Sequence, residues 1–416
     1  MELKQRAVNE MVEGERLMLN ASKRNRKFHE HAAVATTSNS GPLVSIVVIS
    51  YNYGPYIGTA IRSALSQTYS HTEIIVVDDG SSDGSREIIA AFGDQITAHF
   101  KERGGETSTN NIGFALTSGS IVMFLDSDDA LHPRAVEEVV AHWRPSASKI
   151  QFCLSIVDDH GRAGHMVYPN YRSDISADRI KEAVLRTGLY LWPPTTGNAY
   201  ARSFLKQIMP LPTEMFPMGP DGPLNAVAPL YGDVITINQV LGYYRVHGDN
   251  AFLTRTFSPE VIARGIISRR QEANFLQACA NTLGVCLPAN LLDEPLHLAL
   301  RIAILKVAPN LYPVEGDTVV DLCILAVGKV LHDREATHRY LLLLWFIAVA
   351  LAPRKLATRF IELRFVGMAR PPLLRKLLKH LGIMRKSTFA DNDLDILEFP
   401  SSPVPVEHGI RPASRI

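Results

Sequence analysis

Short runs of Val and Ile, each followed by polar residues, organise the N-terminal half of the chain. The runs at 44–49 and 73–77 are apolar and β-branched, which is typical of strands buried on both faces of a parallel sheet. A third short strand is predicted near 96–100, and a further apolar strand at 119–125. Between the first two strands, apolar residues recur at helical spacing over 56–65. The pattern therefore predicts βαβ units and a parallel sheet.

Polar side chains stand where three of these strands end. They are Ser50, Tyr51, Asn52, Asp78, Asp79, Asp126, Asp128 and Asp129. Because ligands of an open α/β sheet bind outside the carboxyl ends of its strands, we expect these side chains to line one site. The three carboxylates within 126–129 repel one another, and a hard divalent cation such as Mg²⁺ or Mn²⁺ would offset that repulsion. The alternative for Asp129 is to cap the helix that begins near Pro133.

Three sequence runs resemble the catalytic core of family 2 glycosyltransferases of the GT-A fold. They are VSIVVISYN at 44–52, EIIVVDDGSSDGS at 73–85 and GSIVMFLDSDDALHP at 119–133. The resemblance implies an α/β fold with a Rossmann-like, mixed, mostly parallel sheet flanked by helices, here with a helical C-terminal extension. It also implies a nucleotide-sugar donor, Mn²⁺ or Mg²⁺ as cofactor, and transfer of the sugar with inversion to an acceptor hydroxyl.

The resemblance assigns the donor-binding residues by position. Ser50, Tyr51 and Asn52 correspond to residues beside the nucleotide base and ribose. Asp79 corresponds to the carboxylate that accepts a hydrogen bond from the uracil ring N–H, and Asp78 would support its loop. UDP- and dTDP-sugars are therefore the favoured donors. The alternative for Asp79 is a turn-forming role in the sequence Asp-Asp-Gly-Ser.

Asp126 and Asp128 correspond to the DxD motif of the family. Asp128 is expected to bind the metal directly, and Asp126 to contact the ribose or to reach the metal through water. The metal would bridge the donor diphosphate and stabilise the departing nucleotide. One position departs from the family pattern, since Asn110 stands where an arginine that holds the donor is common. Arg103 is a candidate replacement, and helix capping is the alternative role for Asn110 and Asn111.

The segment 149–252 is expected to select the acceptor. Its loop at 192–200 is rich in turn residues and is followed by a helix that starts at Ser203. The loop resembles the glycine-containing loop that lines the acceptor pocket of the family. The residues carried over are Trp192, Thr196 and Gly197. An ordinary turn is the alternative.

Inverting transfer needs a carboxylate that takes the acceptor proton while the hydroxyl attacks. In the family this base lies at a helix start and is often written Glu-Asp. Here Asp221 stands alone after Pro220. We therefore predict Asp221 as the general base, with capping of the helix as its alternative role. Asp233 is the second candidate for the base.

A Tyr-Arg-x-His run near residue 245 resembles the end of many family 2 catalytic domains. His247 is expected to reach the metal or the diphosphate, because neutral imidazole is a common ligand of divalent ions. Arg245 is expected to neutralise a donor phosphate. A structural role is the alternative for His247.

The composition narrows the class of protein. The chain has 416 residues, of which 46% are apolar, enough for a sizeable core and about two domains. A net charge of +1 argues against nucleic acid as a partner. The four cysteines show no CxxC spacing, so we expect buried thiols and no zinc site. Charged residues from Glu2 onward argue against a signal peptide and favour a cytoplasmic location.

Four segments are predicted along the chain. Residues 1–41 form a polar helical extension with a linker, and 42–255 form the GT-A catalytic domain. Residues 256–386 form a helical region, and the proline-containing tail at 387–416 is disordered. The helices of the third segment fit a dimer interface or an acceptor platform equally well, so the oligomeric state stays open.

The helical region carries two features that bear on membranes. The apolar run 340–352 has 13 residues, fewer than the roughly 20 of a spanning helix, and predicts a buried or interfacial helix. Residues 354–386 carry ten Lys or Arg against one acid, Glu362, which favours an anionic membrane surface such as the inner face. That location would suit a glycan or lipid-linked acceptor. The alternative is a helix packed on the catalytic domain with its basic face in water.

Two other functions remain as alternatives. A nucleotidyltransferase would have a glycine-rich, basic phosphate loop after the first strand, and 51–54 lacks the basic residues. A non-catalytic nucleotide-sugar-binding or scaffold protein is favoured by Asn110 and by the incomplete Glu-Asp pair at Asp221. The acidic motif residues and His247 argue against it. Processive polysaccharide synthases of the family carry a Gln-x-x-Arg-Trp motif, and this sequence does not contain it. The resemblance therefore favours transfer of single sugars, in cell-surface polysaccharide or glycoconjugate synthesis.

Overall fold

The computed structural model describes residues 41–171, 175–217, 219–247, 258–332 and 339–365. The predicted N-terminal extension up to residue 40, the basic segment beyond residue 365 and the predicted tail lie outside the described residues.

One mixed sheet contains the nine strands of the described residues. They are β1 (Val44–Ser50), β2 (Thr72–Asp78), β3 (Thr97–Phe100), β4 (Ile121–Asp126), β5 (Ala130–Leu131), β6 (Ala147–Val157), β7 (Ala163–Tyr168), β8 (Asn198–Ala201) and β9 (Asp233–Arg245). The spatial order is β3-β2-β1-β4-β8-β6-β9-β5, and β7 pairs with β6. The longer ladders are parallel. Because β8 is antiparallel to both β4 and β6, the strands β1, β2, β4, β6 and β9 all run in one direction.

Helices cover both faces of this sheet. The α-helices of the described residues are α1 (Gly54–Leu65), α2 (Ser85–Ala90), α3 (Glu106–Leu116), α4 (Ala135–His142), α5 (Ala177–Thr187), α6 (Arg202–Ile208), α7 (Asp221–Tyr231), α8 (Pro259–Leu283), α9 (Pro295–Val307), α10 (Val319–His332), α11 (Arg339–Leu351) and α12 (Arg354–Phe365). Short 3₁₀ turns occur at Gly93–Gln95, Thr195–Gly197 and Pro309–Leu311.

The strand β1 shows how the two faces are filled. Ile46 and Val48 belong to the same buried cluster as Ile57 of α1. Val47 points to the opposite face, because side chains alternate along a strand. There it meets α3 so closely that a Cβ on Gly113 would lie 2.4 Å from Val47 Cγ1. The predicted GT-A class, a mixed and mostly parallel sheet flanked by helices, is confirmed.

Strand β4 begins two residues later than the pattern predicts. Gly119 passes so close to β1 that an added Cβ would lie 2.6 Å from Ser45 Oγ. Its N–H donates to Ser45 Oγ and to Glu73 Oε1, both at 2.9 Å. These side-chain contacts replace the ladder at this point, so regular pairing starts at Ile121.

Strand β8 was predicted as part of a loop, and that prediction is wrong beyond Gly197. Residues Asn198–Ala201 form a short buried strand between β4 and β6. Four residues after a Pro- and Thr-rich turn carry too little pattern to identify a strand, and the pairing is supplied by the two neighbours. The following helix begins at Arg202, one residue before the predicted start.

The C-terminal helical region is confirmed for the described residues 259–332 and 339–365 and has its own core. The buried residues of that core are Leu298, Ala299, Ile302, Ala303, Leu322, Cys323, Ala326, Val330, Phe346, Val349, Ala352, Ala357 and Ile361. All but the last residue of the run 340–352 lies in α11, in line with the predicted buried or interfacial helix. Within the described residues, no helix is long and apolar enough to cross a membrane. Of the four cysteines, Cys286 is exposed, so the prediction of buried thiols is wrong for this residue.

Candidate active site

Hydrogen bonds join the ends of β1 and β2. The Asn52 N–H donates to Ser81 Oγ at 2.9 Å, and Asn52 Oδ1 accepts from the Ser82 N–H at 2.8 Å. The Asp79 N–H donates to the Ser50 carbonyl at 2.8 Å. Asn52 has a φ of 55°, a left-handed conformation in which asparagine is enriched. The predicted donor-binding residues Ser50 and Asn52 are therefore held against the loop that contains Asp79.

Asp78 supports this loop, as predicted. Its Oδ1 accepts from the N–H groups of Gly80 and Ser81, at 3.2 and 3.1 Å, and from Arg86 Nε at 2.7 Å. The carboxylate is buried, so these three donors replace the water that it would otherwise bind.

Asp79 is also buried, and both of its oxygens accept hydrogen bonds. Oδ1 accepts from the Gly104 N–H at 2.7 Å and pairs with Lys101, while Oδ2 accepts from the Gly105 N–H at 2.9 Å. Burial acts to raise the pKa of Asp79, but Lys101 and the two N–H donors outweigh it, so the pKa lies below its ordinary value. Asp79 thus ties the end of β2 to the segment that enters α3. Its contact with a base ring stays a prediction.

Arg103 lies over the ring of Tyr51, with 4.1 Å between the guanidinium carbon and the ring centroid. The backbone of Arg103 packs against Gly80, where a Cβ would lie 2.9 Å from the Arg103 nitrogen and φ is 84°. A side chain at Gly80 would therefore displace the segment. The candidate replacement for the missing arginine thus stands beside the predicted donor-binding residue Tyr51.

Asn110 and Asn111 lie inside α3, so the capping alternative is wrong for both. Asn110 is fully buried, and its Nδ2 donates to the Glu106 carbonyl at 3.0 Å. Asn111 exchanges two hydrogen bonds with the backbone of Leu211, at 2.8 and 2.9 Å. Asn111 therefore fixes α3 to a distant loop, and Asn110 bonds within its own helix.

Four carboxylates interact electrostatically near the carboxyl end of β4. They are Glu106 of α3, Asp126 and Asp128, and Asp221 of α7. Burial and, to a smaller extent, repulsion within the cluster raise the pKa of Glu106 and of Asp126 well above the ordinary values. A cation bound among these groups would remove much of the repulsion.

Glu106 was not among the residues predicted from the sequence. It is the first residue of α3 and follows Gly105, which has a φ of 86°. Its carboxylate faces Gly219, where an added Cβ would lie 2.2 Å from Oε1. The signal in the sequence is weak, an acidic residue after two glycines at a helix start. The proximity to Asp221 arises because the segment before α7 packs on α3.

Asp129 joins the predicted acceptor loop to the end of β9. Its Oδ2 accepts from Thr196 Oγ1 at 2.6 Å, and its Oδ1 accepts from the Arg245 N–H at 2.9 Å. Thr196 Oγ1 also accepts from the Asp126 N–H at 3.3 Å. The capping alternative for Asp129 is wrong, because α4 begins only at Ala135 and the buried carboxylate bonds to Thr196 and Arg245 instead.

The rest of the predicted acceptor loop is tightly folded. Trp192 packs edge-on against Tyr190, with ring centroids 5.0 Å apart. Gly197 passes Pro193 so closely that an added Cβ would lie 2.5 Å from Pro193 Cβ. The loop is therefore more closely packed than an ordinary exposed turn, and its contact with an acceptor stays a prediction.

Arg245 is buried and contacts backbone carbonyls. Nε donates to the Asp128 carbonyl at 2.8 Å, and Nη1 donates to the carbonyls of Asp158 and Asp159, at 3.2 and 3.1 Å. The guanidinium carbon lies 4.8 Å from the centroid of the Tyr56 ring. These contacts give Arg245 a structural role at the turn that carries Asp128. Its predicted contact with a donor phosphate stays a prediction.

His247 lies beside Asp128. Its Nε2 is 3.0 Å from Asp128 Oδ2, and its ring packs against those of Tyr53 and Tyr56, with centroids 5.7 and 5.5 Å away. The side chain is mostly buried. The structure thus brings the last motif of the predicted site to the acidic turn after β4.

Asp221 and Asp233 lie at different places in the fold. Asp221 is the first residue of α7, and burial raises the pKa of its carboxyl, whereas the buried Lys149 acts to lower it. Lys149 Nζ donates to the Tyr190 hydroxyl at 3.1 Å and also to Asn225. Asp233 opens β9 and pairs with the start of β6, at the opposite end of the sheet from the carboxylate cluster. This position argues against Asp233 as the base.

The comparison with known families agrees with this geometry. Residues 45–180 match the family model described as Glycosyl transferase family 2. The matched segment, about a third of the chain, belongs to this family. The matched segment contains the ends of β1, β2 and β4 and the residues Glu106, Asp126 and Asp128.

Curated glycosyltransferases match parts of the chain. An uncharacterized glycosyltransferase of Nostoc is 32% identical over 213 residues, which are 50% of this chain and 66% of that protein. TuaG of Bacillus subtilis, a putative teichuronic acid biosynthesis glycosyltransferase, is 38% identical over 96 residues, 22% of this chain and 38% of TuaG. The chain thus spans less than two thirds of these relatives. The crystal structure of S. aureus TarS in complex with UDP covers 77% of this chain and 90% of that chain, with 18% identity and a TM-score of 0.45.

Two side chains at this site fit a divalent cation. Neighbouring ligands of an octahedral ion at about 2.1 Å lie about 3 Å apart, and Asp128 Oδ2 and His247 Nε2 are 3.0 Å apart. Within the described parts of the chain, no group of three His, Cys, Asp or Glu side chains is arranged to hold a metal. The donor set therefore fits Mg²⁺ or Mn²⁺ that takes its remaining ligands from phosphate oxygens and water.

Proposed function

We propose that this domain transfers a sugar from a nucleotide-sugar donor to an acceptor hydroxyl, with inversion and with Mn²⁺ or Mg²⁺. The observation that carries the proposal is the contact of Asp128 with His247 at the acidic turn after β4, to which Asp126 and Asp221 are coupled electrostatically, in a chain whose residues 45–180 match the family 2 glycosyltransferase model. A role in cell-surface polysaccharide or glycoconjugate synthesis is supported by the similarity to TuaG.

The donor nucleotide is proposed to bind across the ends of β1 and β2, at Ser50, Tyr51, Asn52 and Asp79. Ser50 Oγ is buried and has no hydrogen-bond partner among the described residues, which supports a polar ligand contact there. The ring of Tyr51 and the guanidinium of Arg103 present a flat, cationic surface beside it. A UDP- or dTDP-sugar matches these groups, with its diphosphate directed toward Asp126 and Asp128.

Asp128 and His247 would hold the metal, with Asp126 beside them. When bound, the ion supplies positive charge for the leaving diphosphate. Arg245 and Asp129 act through position, because they fix the turn of Asp128 to the end of β9.

Asp221 is proposed to act as the general base. The acceptor oxygen forms a bond to the anomeric carbon while the bond from that carbon to the diphosphate oxygen breaks, and the hydroxyl proton moves to Asp221. Burial raises the pKa of Asp221, which makes its ionised form a stronger base. The nearby Lys149 favours that ionised form through its charge.

Donor binding and donor hydrolysis test this proposal together. UDP-, dTDP- and GDP-sugars are each combined with Mn²⁺, Mg²⁺ or EDTA and assayed by thermal shift and by release of free sugar. We expect one donor to raise the unfolding midpoint only with metal, because it binds the folded state. The effect should disappear in Asp128→Ala and persist in Asp94→Ala, which removes an exposed carboxylate far from the site.

A non-catalytic nucleotide-sugar-binding or scaffold protein is the second candidate. The observation that favours it is the buried Asn110 at the position where the family commonly has a donor-binding arginine. Metal-dependent binding of a donor without hydrolysis or transfer, even with acceptor glycans supplied, would favour this candidate. Sugar release that needs Asp128 and Asp221 would reject it.

A further inference from the structure

Exposed apolar side chains are concentrated on the C-terminal helices. Within the described residues, nine of the large exposed hydrophobic side chains lie on α10, α11 and α12, and five are scattered over the rest of the structure. Single exposed apolar residues are ordinary, whereas a grouped set marks a surface that meets another apolar phase. The helices α10 to α12 therefore present a surface different from that of the catalytic domain.

On α11 these side chains form one stripe. Leu344, Ile347 and Leu351 are 63%, 47% and 81% exposed, and their spacing places them on a single helical face. Phe346 and Val349 lie on the opposite face and are fully buried. The helix is thus apolar on both sides, but among the described residues only one side is covered.

A second stripe runs along α10. Val320, Ile324 and Leu331 are 62%, 67% and 56% exposed and are separated by four and seven residues, which again gives one face. Leu322 and Ala326 of the same helix pack in the core shared with α9 and α11. Because α10 and α11 bury their inner faces in one core, both stripes point away from it.

Basic side chains follow these stripes directly. Lys355, Leu356 and Arg359 of α12 are exposed, while Ala357 and Ile361 are buried in the same core. The positive charge beside the stripes favours a lipid surface over a second copy of the chain as the partner. Two copies of the chain that met face to face would bring like charges together, whereas lipid phosphates would neutralise them. An apolar stripe with a basic border is typical of helices that lie in the plane of a membrane surface.

We propose that the outer face of α10 and α11, with the basic start of α12, binds the surface of an anionic phospholipid bilayer. Leu344, Ile347 and Ile324 enter the boundary between headgroups and acyl chains, and Lys355 and Arg359 contact lipid phosphates. The helices lie on the bilayer and do not cross it. This inference does not depend on the proposed sugar transfer, because lipid binding is measured without donor or acceptor.

Flotation of the full chain with lipid vesicles tests the proposal. Vesicles of phosphatidylcholine mixed with phosphatidylglycerol are compared with vesicles of phosphatidylcholine alone, at low and at high salt. We expect binding to the anionic vesicles, weakened by salt, and little binding to the neutral ones. Equal binding to both kinds of vesicle would overturn the ionic part, and binding to neither would overturn the proposal.

Two double variants separate the apolar and the basic contributions. Leu344→Gln with Ile347→Gln should weaken vesicle binding by about tenfold for each side chain. The matched control, Ile267→Gln with Leu283→Gln on α8, changes side chains that are each 41% exposed and should leave binding unchanged. Lys355→Gln with Arg359→Gln should weaken vesicle binding by about fivefold for each charge removed. The matched control, Lys181→Gln with Lys206→Gln, also removes two exposed charges and should leave vesicle binding unchanged.

Sedimentation of the same variants decides the alternative occupant. If the variant at Leu344 and Ile347 floats as the wild type does but changes from dimer to monomer, the face binds a second copy and the proposal is wrong. If the variant loses flotation with an unchanged unfolding midpoint and sedimentation coefficient, the bilayer is the partner of this face.

Discussion

Replacement of Arg245 by lysine separates a structural role from contact with the donor. The guanidinium donates to the carbonyls of Asp128, Asp158 and Asp159 and packs on Tyr56. A lysine ammonium at this site would reach about one of the three carbonyls, because it lacks the planar fork. Each hydrogen bond from a charged donor contributes about 1.5–3 kcal/mol, so two lost bonds give about 3–6 kcal/mol. The carbonyls near the surface can bond to water instead, which favours the lower value, about 3 kcal/mol.

Denaturant unfolding and calorimetry with UDP measure the two roles separately. Arg245→Lys should lower the free energy of unfolding by that amount, while Arg186→Lys, at an exposed position, should leave it unchanged. In the folded protein, the free energy of UDP binding in the presence of Mn²⁺ should change less than the free energy of unfolding. An unchanged unfolding midpoint together with about tenfold weaker UDP binding would refute this reasoning and restore the phosphate contact predicted from the sequence.

Three further predictions concern the same site. Asp221→Asn should lower donor turnover by about 10²–10⁴, because the amide cannot accept the acceptor proton. The unfolding midpoint should not fall, because the amide removes a buried charge. Near-normal turnover would exclude Asp221 as the base. Gly219→Ala should destabilise the fold, because Gly219 has a φ of 110° and an added Cβ would clash with Glu106. Gly265→Ala has open space around the added Cβ and should stabilise the fold by about 0.5–1 kcal/mol. Equal unfolding midpoints of the two variants would contradict both expectations. The pKa of Asp79 is lower in the folded than in the unfolded chain, so its stabilisation is complete above about pH 4 and is lost as the pH falls through the lowered value. In thermal unfolding from neutral to acid pH, Asp79→Asn should therefore lose less stability than the wild type, and parallel curves would count against this role.

The pattern of apolar and polar residues was sufficient to predict the strands and the polar residues at their ends. The Val and Ile runs of β1 and β2 identify buried parallel strands, because a strand covered on both faces needs apolar residues at every position. The residues directly after them, such as Asn52 and Asp79, could then be assigned to one end of the sheet by topology. The C-terminal helices were also predictable, since their apolar positions recur at helical spacing.

Long-range packing decided the rest. Glu106 and Asp221 are far apart in the sequence and meet only because the segment at Gly219 packs on α3. Asp129 looked like a helix cap, and only the arrival of Thr196 and of the Arg245 backbone makes it a buried link between two loops.

The sequence by itself determined which elements form, which residues follow them and which family they resemble, because these depend on neighbours in the chain. Tertiary structure decided which carboxylates share one site, that β8 enters the centre of the sheet, and that Arg245 contacts carbonyls. It also decided which face of α11 is covered and which is left exposed. Such outcomes depend on groups distant in sequence, and periodicity along the chain does not encode them.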